Sequence, residues 1–440
     1  MAGARVGIVG GGVLGLALAY RLSAAGSRVT VLETAVQPGG LATWRDYGAF
    51  VWDRFYHVIT TRDRDLLALI DELGLAQEVV WRPTRVGFLW QNRLLSMSNH
   101  REFLTFPALS PLAKVRLALG ILRTISIRDA SRYENVTATE WLPRIFGDAV
   151  ARTMWTPLLE SKFGVLADRV PASFMVVTIQ RAFGARSGGG GSERLGYLHG
   201  GYRTFLSRLV ERIRSHGGEV RLGTSVAAIE PDPGGAAIRT ASGREVFDRV
   251  VSTIPNPLFR RLAASVPDLE GGTTGEPAFL GVICLVLVLR RALSPYYVTN
   301  LIQRDLPFTG IIEYTALADP AEETAGQHLV YLPRYDVPDS PWFERSEEEI
   351  TEEGLRGLER IWPDIRSWVV RTFVHRERRV QALWLPGTRQ RTAPLRSRSA
   401  PIESITAELV GLDTLNNNAV IRLVNAQGAR LAAGVGPEVG

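Results

Sequence analysis

Four residues near the start of the chain have the types and the spacing needed to bind two phosphates and a ribose. Gly10, Gly12 and Gly15 form a G-x-G-x-x-G pattern, and Glu33 follows Gly10 by about 20 residues. The first glycine permits a tight turn, the second lets the backbone approach a pyrophosphate, and the third lets a helix pack closely on a strand. An acid at the Glu33 position binds a ribose hydroxyl and disfavours a 2′-phosphate. The pattern predicts a dinucleotide site.

The segment around these glycines has the order strand, turn, helix, strand that such a site requires. Residues 5–9 and 28–33 are short runs of the kind that form buried parallel strands. The apolar stretch between them begins at Val13 and Leu14 and stops at Gly26, which predicts a helix packed on the sheet. Free N–H groups and the positive end of the dipole at its N-terminus favour phosphate binding. NAD and FAD both present an ADP half to such a turn.

A second glycine pair lies directly after the acid, in the sequence QPGGLATWR at residues 37–45. Gly39 and Gly40 allow positive φ and a close approach of the backbone, and Arg45 supplies a cation for a pyrophosphate or a flavin. A dinucleotide that extends past its ADP half into an isoalloxazine ring needs such a second cradle. This order of glycines therefore favours FAD over NAD. The alternative interpretation is a flexible surface loop.

The G-G-x-x-[ST]-x-R pattern after the ribose acid resembles the flavoprotein clan of monoamine oxidases, protoporphyrinogen oxidases, phytoene desaturases and UDP-galactopyranose mutases. The resemblance implies FAD as the cofactor. Residues 199–230 resemble the clan's returning helix and strand, where the backbone of Val226 would meet the adenine, and residues 247–255 resemble the strand under the nucleotide. In this part of the chain, the motifs and the resemblance place along FAD the residues Gly10, Gly12, Val13, Leu14, Gly15, Glu33, Thr34, Gly39, Gly40, Leu41, Thr43, Arg45, Val226 and Thr253.

A segment near the C-terminus, residues 406–423, resembles the part of the clan's fold that closes over the flavin. The resemblance implies an acid on the ribityl or pyrophosphate side. Glu408 and Asp413 are both candidates, because the glycine and the aromatic residue that usually precede this acid are replaced here. A helix dipole beside the pyrimidine end would stabilise negative charge on a reduced flavin. The alternative is a polar loop with an ordinary helix cap. The implied N–H donors at this helix start are those of Asn417, Asn418, Ala419 and Val420.

Two long insertions separate the segments that resemble a nucleotide-binding part. The arrangement predicts an α/β protein with a Rossmann-like FAD-binding domain, discontinuous in sequence, and a mixed α+β substrate-binding domain. The first insertion has mostly helical periodicity, and the second has the alternation of strands. A glycine-rich stretch, residues 186–196, predicts a flexible connection between the domains. The predicted bounds are 1–60, 196–275 and 376–440 for the FAD-binding domain, and 61–195 and 276–375 for the substrate-binding domain.

Four residues in or beside the insertions are candidates for catalysis: His57, Lys162, Glu313 and Tyr331. Imidazole titrates near neutral pH, so His57 can act as a general acid or base. Lys162 can bind a phosphate of the substrate, and Glu313 and Tyr331 lie on strands predicted to floor a pocket. The structural alternatives are a histidine bonded to backbone, a lysine that caps a helix, and strand residues that face outward.

Within the clan, two short pieces resemble UDP-galactopyranose mutase in particular. One is KFG at residues 162–164, and the other is WDRFYHVI, which would place Asp53 and His57 near the flavin. The mutase has a glycine two positions after that acid, whereas this chain has Phe55. The loop conformation that serves the mutase need not be shared.

Three functions from different classes fit these motifs. The first is an FAD-dependent oxidoreductase, like an amine oxidase or protoporphyrinogen oxidase, that moves a hydride from an amine, porphyrin, polyene or sugar-like substrate to flavin N5. The second is an isomerase of the mutase type, in which reduced FAD attacks a sugar carbon without net oxidation. The third is a binding protein of the same superfold that has lost FAD, which the intact glycine motifs disfavour. We expect the first function.

The amino-acid composition limits the classes of ligand and partner that we expect. Of 440 residues, 45% are apolar and 22% are charged, as in a globular enzyme. A single cysteine, Cys284, excludes a disulfide framework and a multi-cysteine metal cluster, and we predict no metal site. Only two of 51 basic residues are lysines. Arginine clusters at residues 375–379 and 389–398 favour an anionic substrate or a membrane surface, and the alternative is an ordinary solvated face.

We therefore expect a small-molecule substrate, anionic in the first of these interpretations, and no nucleic-acid partner. The apolar N-terminus is interpreted as retained structure because its glycines have phosphate-loop spacing. The expected location is the cytoplasm, with or without peripheral contact to the inner face of the membrane. Residues 112–128, basic on one side and apolar on the other, are the candidate for that contact, and a core-facing helix is the favoured alternative.

Overall fold

The computed structural model describes residues 3–184, 193–271, 277–388, 393–410 and 416–434. Within these residues the chain forms two seven-stranded sheets, three smaller sheets and a layer of helices. This architecture confirms the predicted α/β fold, with a Rossmann-like nucleotide-binding part and a mixed α+β second part. Asp413 and most of the glycine-rich connection lie outside the described residues.

The first large sheet, here called the nucleotide sheet, contains the strand–turn–helix–strand unit predicted from the N-terminal glycines. Strands Arg5–Val9 and Arg28–Leu32 are parallel neighbours, with Val6 opposite Val29. The sheet is parallel over its first five strands and antiparallel at its far edge. In spatial order its strands are Glu219–Arg221, Arg28–Leu32, Arg5–Val9, Arg249–Ser252, Ile402–Ser404, Leu395–Ser397 and Leu269–Glu270.

The nucleotide sheet is buried on both faces, which explains why its central strands are continuous apolar runs. On one face, Val6 and Ile8 pack against four helices; on the other, Phe247 and Phe259 belong to the core beneath a small antiparallel sheet. The helices are Val13–Ala24, Arg64–Glu72, Tyr202–Ser215 and Asn417–Ala432, and the small sheet contains Val226–Asp232, Gly235–Thr240 and Gly243–Phe247.

The second large sheet, here called the substrate sheet, is the one predicted to floor a pocket. Its described pairings are antiparallel, except that Val298–Leu301 runs parallel to Val86–Trp90. One face packs against residues 47–58, and helix Glu347–Glu359 covers the other. The strand Val369–Leu383 runs through the predicted domain boundary at residue 375. In spatial order the strands are Val369–Leu383, Ala278–Leu289, His328–Asp336, Gly310–Glu313, Val298–Leu301, Val86–Trp90 and Arg93–Ser96.

The first insertion is mostly helical, as its periodicity predicts. Helices Pro111–Ile125, Ala138–Phe146 and Thr156–Phe163 form as expected, and residues 79–96 form three strands. These strands were not predicted because a two-residue turn was missed. Its central residues have φ of 50° and 57°, the left-handed pair that matches the twist of a hairpin.

The remaining elements are short. The smaller strands are Trp44–Asp46, Val51–Asp53, Ile59–Thr60, Val79–Thr84 and Glu193–Leu198. The remaining helices are Gly40–Ala42, Ala76–Glu78, His100–Thr105, Ala130–Tyr133, Asp148–Val150, Ala151–Trp155, Gly164–Arg169, Ala172–Gly184, Asn256–Leu262, Tyr314–Ala316, Pro320–Glu323, Pro341–Glu344, Ile365–Trp368 and Ala407–Val410. Across the described ranges we find no helix with both the length and the apolar composition needed to span a bilayer.

Candidate cofactor and substrate site

The N-terminal glycines form the turn that their pattern predicts. Gly10 has φ of 110°, and a Cβ at Gly15 would lie 2.0 Å from the carbonyl oxygen of Gly10. A Cβ at Gly12 would meet nothing within 4 Å, so there is open space in front of the following helix. Among the described side chains, none caps the start of that helix. Its first N–H groups and its dipole are therefore available to a phosphate in that space.

Thr253, predicted to lie under the nucleotide, supports the turn from below. Its Oγ1 donates to the carbonyl oxygens of Val9 and Gly10 at 3.1 and 3.2 Å. The same oxygen would lie 2.8 Å from a Cβ at Gly15. The hydroxyl therefore fixes the glycine turn on the strand that precedes it.

Glu33 lies at the end of the second strand, where a ribose acid belongs. Its Oε2 accepts from Gly11 N at 2.6 Å and its Oε1 accepts from Ala35 N at 2.8 Å. Each oxygen keeps a second acceptor site for a ribose hydroxyl. Thr224 N donates to the Glu33 carbonyl at 2.8 Å, which brings the strand that begins at Val226 beside the acid.

The second glycine pair contacts the first. Gly39 N donates to Gly11 O at 2.7 Å, Gly39 forms a parallel bridge with Gly12, and a Cβ at Gly40 would lie 3.2 Å from the Gly12 Cα. Both residues of the pair have positive φ, 110° and 58°. The two turns form one continuous backbone surface. A ligand that runs from a pyrophosphate to a flavin ring requires such a surface.

A cavity of about 940 Å³ joins the second glycine pair to the substrate sheet. Arg45 lies over the ring of Phe373 at 5.7 Å. Neither Arg45 nor Arg371, which both line the cavity, forms an ion pair with a described residue. Two guanidinium groups without counter-ions suit an anion. Arg371 was not predicted from the sequence, because it lies in a strand without a motif.

Buried polar atoms without a partner concentrate in the loop after the second glycine pair. Within the described part of the chain, Trp52 Nε1, Asp53 Oδ2, Arg54 Nε and His57 Nδ1 have no hydrogen-bond partner. Each such group costs about 1–3 kcal/mol unless a ligand or water completes it. Together with the open space at Gly12, these atoms fit a bound FAD whose flavin end reaches this loop.

Asp53 and His57 face each other in this loop. His57 Nδ1 lies 3.9 Å from Asp53 Oδ2, and Asp53 Oδ1 accepts from Tyr202 N at 2.8 Å. Burial raises the pKa of Asp53 to about 8, although the bond from Tyr202 N opposes this change. Burial lowers the pKa of His57 to about 4, opposed by a backbone hydrogen bond to Phe55. Near neutral pH the titratable proton of this pair therefore lies on the carboxyl group.

Tyrosines of the substrate sheet and the Trp44–Asp53 hairpin hold the loop in place. Tyr331 OH donates to the carbonyl oxygen of Asp53 at 2.6 Å, and Tyr47 OH donates to the same oxygen at 3.1 Å. Tyr56 OH and Tyr335 OH lie 2.9 Å apart. Burial raises the pKa of Tyr331, which keeps its phenol protonated. The contacts make Tyr331 a positioning residue for the loop.

We predict that Tyr47→Phe and Tyr331→Phe each lower the free energy of unfolding by about 1 kcal/mol. The double variant should lose more than the sum, because either phenol can partly replace the other at the same acceptor. Urea unfolding of the four proteins measures this coupling. Strictly additive losses would show that the two phenols do not share the Asp53 carbonyl.

Lys162 lies beside Tyr335, the partner of Tyr56. Its Nζ lies over the rings of Phe163, Phe174 and Tyr335 at 5.7, 5.4 and 5.4 Å. No carboxylate of the described residues forms an ion pair with it. Burial lowers the pKa of Lys162 to about 8, so the ammonium group still dominates at neutral pH. Tyr335 joins this cation to the cofactor loop through its hydrogen bond with Tyr56.

A second cavity, of about 830 Å³, also has Tyr335 in its wall. The indole ring of Trp342 lies between two guanidinium groups there, with Arg334 at 4.0 Å and Arg345 at 4.1 Å from the ring centre. Ser161, next to Lys162 in sequence, lines the same cavity. This cavity is therefore next to the cation and can admit a substrate from outside the substrate sheet.

Glu313, predicted to be catalytic, is buried and forms hydrogen bonds with neighbouring protein groups. Its Oε2 accepts from Leu293 N at 2.9 Å and its Oε1 accepts from Thr315 Oγ1 at 2.8 Å. Its neighbour Ile312 packs with Tyr331, so Glu313 points to the opposite face of the sheet. Burial raises its pKa to about 7. These contacts support a structural role and give no support to the catalytic one.

The start of the C-terminal helix differs from the arrangement that the resemblance implies. Asn416 Oδ1 accepts from Ala419 N at 3.0 Å, and Asn416 O accepts from Val420 N at 3.1 Å. Asn418 Oδ1 accepts from Leu66 N at 3.0 Å. The cap and the first turn of the helix therefore use two of the four N–H groups that the resemblance implies at the flavin, and those of Asn417 and Asn418 stay a prediction. A polar cap was the alternative interpretation of the sequence.

Glu408 contacts the helix that follows the Arg249–Ser252 strand. Its two carboxylate oxygens accept from Asn256 N and Asn256 Nδ2, both at 2.8 Å. Each oxygen can accept a second hydrogen bond, and the role of Glu408 beside the flavin stays a prediction. Asp413 lies outside the described residues.

The joined glycine turns, the parallel sheet beneath them and the second sheet over the loop define a two-part FAD-binding flavoprotein. The sequence profile of the flavin containing amine oxidoreductase family matches residues 15–392. The chain belongs to this family, and FAD is its cofactor.

Sequence relatives are distant. A 15-cis-phytoene desaturase of Narcissus pseudonarcissus is 22% identical over 395 residues, which cover 82% of this chain and only 66% of that enzyme. An oxidoreductase of Methanosarcina mazei has a similar structure, with a TM-score of 0.73, 20% identity, and coverage of 96% of this chain and 99% of that one. Reduced UDP-galactopyranose mutase is similar with a TM-score of 0.70, 15% identity, and coverage of 99% and 96%. Such structural likenesses show the fold alone.

Proposed function

We propose that this oxidoreductase acts on an organic substrate with an apolar body and one anionic group, and that Lys162 binds the anion. When bound, FAD supplies the acceptor for a hydride from a substrate carbon. The observation that carries the proposal is the Lys162 ammonium group, which has three aromatic rings around it and no counter-ion among the described residues.

The cofactor contacts follow from the joined turns. In this proposal the helix after Gly12 binds the pyrophosphate, Glu33 binds the ribose, and Arg45 and Arg371 neutralise phosphate charge. The polar atoms of the 52–57 loop then meet the flavin end.

Desolvation of Lys162 is the physical reason why an anion should bind there. A cation removed from water loses hydration, and aromatic faces recover only part of that loss. A carboxylate or phosphate of the substrate makes up the rest of the lost hydration free energy, and the ion pair with Lys162 orients the substrate. The phenols of Tyr56 and Tyr335 remain neutral and face an apolar substrate body. A neutral polyene hydrocarbon gives Lys162 no partner, so acidic substrates are favoured over such a hydrocarbon.

The Asp53–His57 pair gives the site a place to hold a proton. Oxidation of an amine, or of a carbon next to another C–H, releases one proton besides the hydride. His57 Nδ1 can accept it, since the imidazole is neutral near pH 7 and this nitrogen has no hydrogen-bond partner among the described residues. Asp53 keeps its own proton near pH 7, so the pair takes up one proton in this step.

Anaerobic bleaching of the flavin absorbance tests the proposal. Amine, porphyrinogen and polyene compounds are compared as matched pairs of a carboxylate and its methyl ester. We predict that the acid of one pair reduces the flavin faster, and that Lys162→Gln lowers kcat/KM for that acid about 30-fold or more but leaves the ester unchanged. Lys114→Gln, at the other lysine of the chain, is the matched control and should change neither. Equal reduction by acid and ester, or a Lys162→Gln variant that behaves like the wild type, would contradict the proposal.

The unpaired cation also favours the second function, an isomerase of nucleotide sugars. Such an isomerase converts UDP-galactopyranose only after chemical reduction and consumes no electron acceptor. The oxidoreductase proposal predicts no conversion by the reduced protein. Product analysis by liquid chromatography decides between the two.

A further inference from the structure

Exposed apolar side chains concentrate on one helix of the first insertion. Of the eight large apolar residues that are exposed in the described part of the chain, six lie at residues 104–125. Five of them follow each other at intervals of three or four along helix Pro111–Ile125, which places them on one face. Here called the Leu119 face, this surface contains Leu104, Leu112, Val115, Leu119, Leu122 and Ile125, with exposed fractions of 68, 66, 56, 50, 59 and 44%.

The opposite face of the helix packs against the protein core. Ala113, Leu117, Gly120 and Thr124 are buried. Ala113 and Leu117 belong to the apolar cluster that also contains residues of the neighbouring helices Ala138–Phe146 and Ala172–Gly184. The favoured interpretation from the sequence, a core-facing helix, accounts for this face only. The Leu119 face has the composition of a second core and no cover among the described residues.

The charged side chains of this segment have one sign. Residues 103–128 contain four basic residues and no acidic one. Arg116 and Arg123 follow the face along one margin, and Lys114 lies along the other by helical spacing. These three form no ion pair with a described residue. The surface is therefore apolar at its centre and cationic at its margins.

We propose that the Leu119 face docks on an anionic lipid bilayer, with the helix lying in the plane of the interface. Apolar side chains enter the boundary between headgroups and acyl chains, and basic residues at the margins meet anionic headgroups. A second copy of the chain is a poorer occupant, because a symmetric helix pair would place the same basic margins opposite each other. This proposal stands independently of the substrate proposed above.

Flotation with lipid vesicles tests this docking. The FAD-loaded wild type should float with vesicles of phosphatidylcholine and phosphatidylglycerol at low salt, and bind weakly to phosphatidylcholine alone. The double variant Leu119→Gln with Leu122→Gln should lower the partition coefficient about 100-fold. Arg116→Gln and Arg123→Gln should each lower it about fivefold on the anionic vesicles only.

Val36→Gln is the matched control, because Val36 is 82% exposed and lies away from the face. It should bind vesicles like the wild type. The variants in the Leu119 face replace exposed residues outside the cofactor cavity, so their melting temperatures and flavin spectra should match the wild type. Val36 lines that cavity, so its variant is a control for vesicle binding only. The proposal is overturned if the wild type does not bind anionic vesicles, or if the double variant binds as tightly. It is also overturned if the substitutions only convert a dimer to a monomer in sedimentation, which would make a second copy the occupant.

Discussion

Replacing Gly12 by alanine should give a folded protein that does not retain FAD. Gly12 has φ of −71° and ψ of 176°, which alanine adopts without strain, and its Cβ would meet no protein atom within 4 Å. In the holoprotein that Cβ would stand where the pyrophosphate approaches the backbone. We expect the dissociation constant for FAD, measured by quenching of flavin fluorescence, to rise about 100-fold or more, which is about 2.7 kcal/mol.

Two other glycines separate this effect from a loss of folding. Gly310→Ala is the matched control, because a Cβ there would make an ordinary contact at 3.5 Å, away from the cofactor site. It should leave both the melting temperature and FAD binding unchanged. Gly15→Ala should lower both, since its Cβ would lie 2.0 Å from a carbonyl oxygen. FAD affinity of Gly12→Ala equal to that of the wild type would show that the cofactor does not approach this turn.

Asp53→Asn should make the protein more stable than the wild type as the pH rises. The pKa of this carboxyl is raised from 3.8 to about 8 by burial, so the folded state keeps a proton that the unfolded chain releases. The stability linked to that proton is fully present below about pH 4 and is lost as the pH rises through about 8. Asparagine mimics the protonated form and can still accept the hydrogen bond from Tyr202 N.

The expected signature is a difference that grows with pH. Over this range the wild type should lose stability relative to Asp53→Asn by up to about 1.4 kcal/mol per pH unit. Thermal unfolding of the two FAD-free proteins at a series of pH values measures it. Parallel profiles would mean that Asp53 is ionised in the folded protein, and the neutral Asp53–His57 pair would have to be abandoned.

The nucleotide-binding half was predictable because the residues that it requires lie close together in the sequence. Gly10 is needed for the conformation of one turn, Gly15 for its packing and Gly12 for the open space in front of it, and their spacing alone identifies the turn. Gly39 and Gly40 add a second turn within the same short segment. The structure then shows what the sequence could not: the two turns are joined directly, through Gly39 N and Gly11 O.

The substrate half was less predictable because its contacts join distant parts of the chain. Tyr331 reaches the Asp53 carbonyl across 278 residues, and Tyr56 meets Tyr335 across 279. No pattern in one strand states which loop its side chains will meet. The alternation of apolar and polar residues placed Glu313 on a strand, but it did not show which face of the sheet packs against the cofactor loop. In the structure Glu313 lies on the face opposite that loop.

The C-terminal segment illustrates a different limit. A helix start beside a cofactor and a helix start closed by its own cap have the same residue types. The run of asparagines fits both, and the hydrogen bonds from Ala419 N and Val420 N to Asn416 show a cap that uses two of the four predicted N–H groups.

Native mass spectrometry of the purified chain with FAD, FMN and NAD supplied in turn tests the central claim most directly. Two joined glycine turns that hold one extended flavin dinucleotide predict a single FAD per chain, and no retained FMN or NAD. Bare polypeptide at saturating FAD, or equal retention of NAD, would contradict the claim.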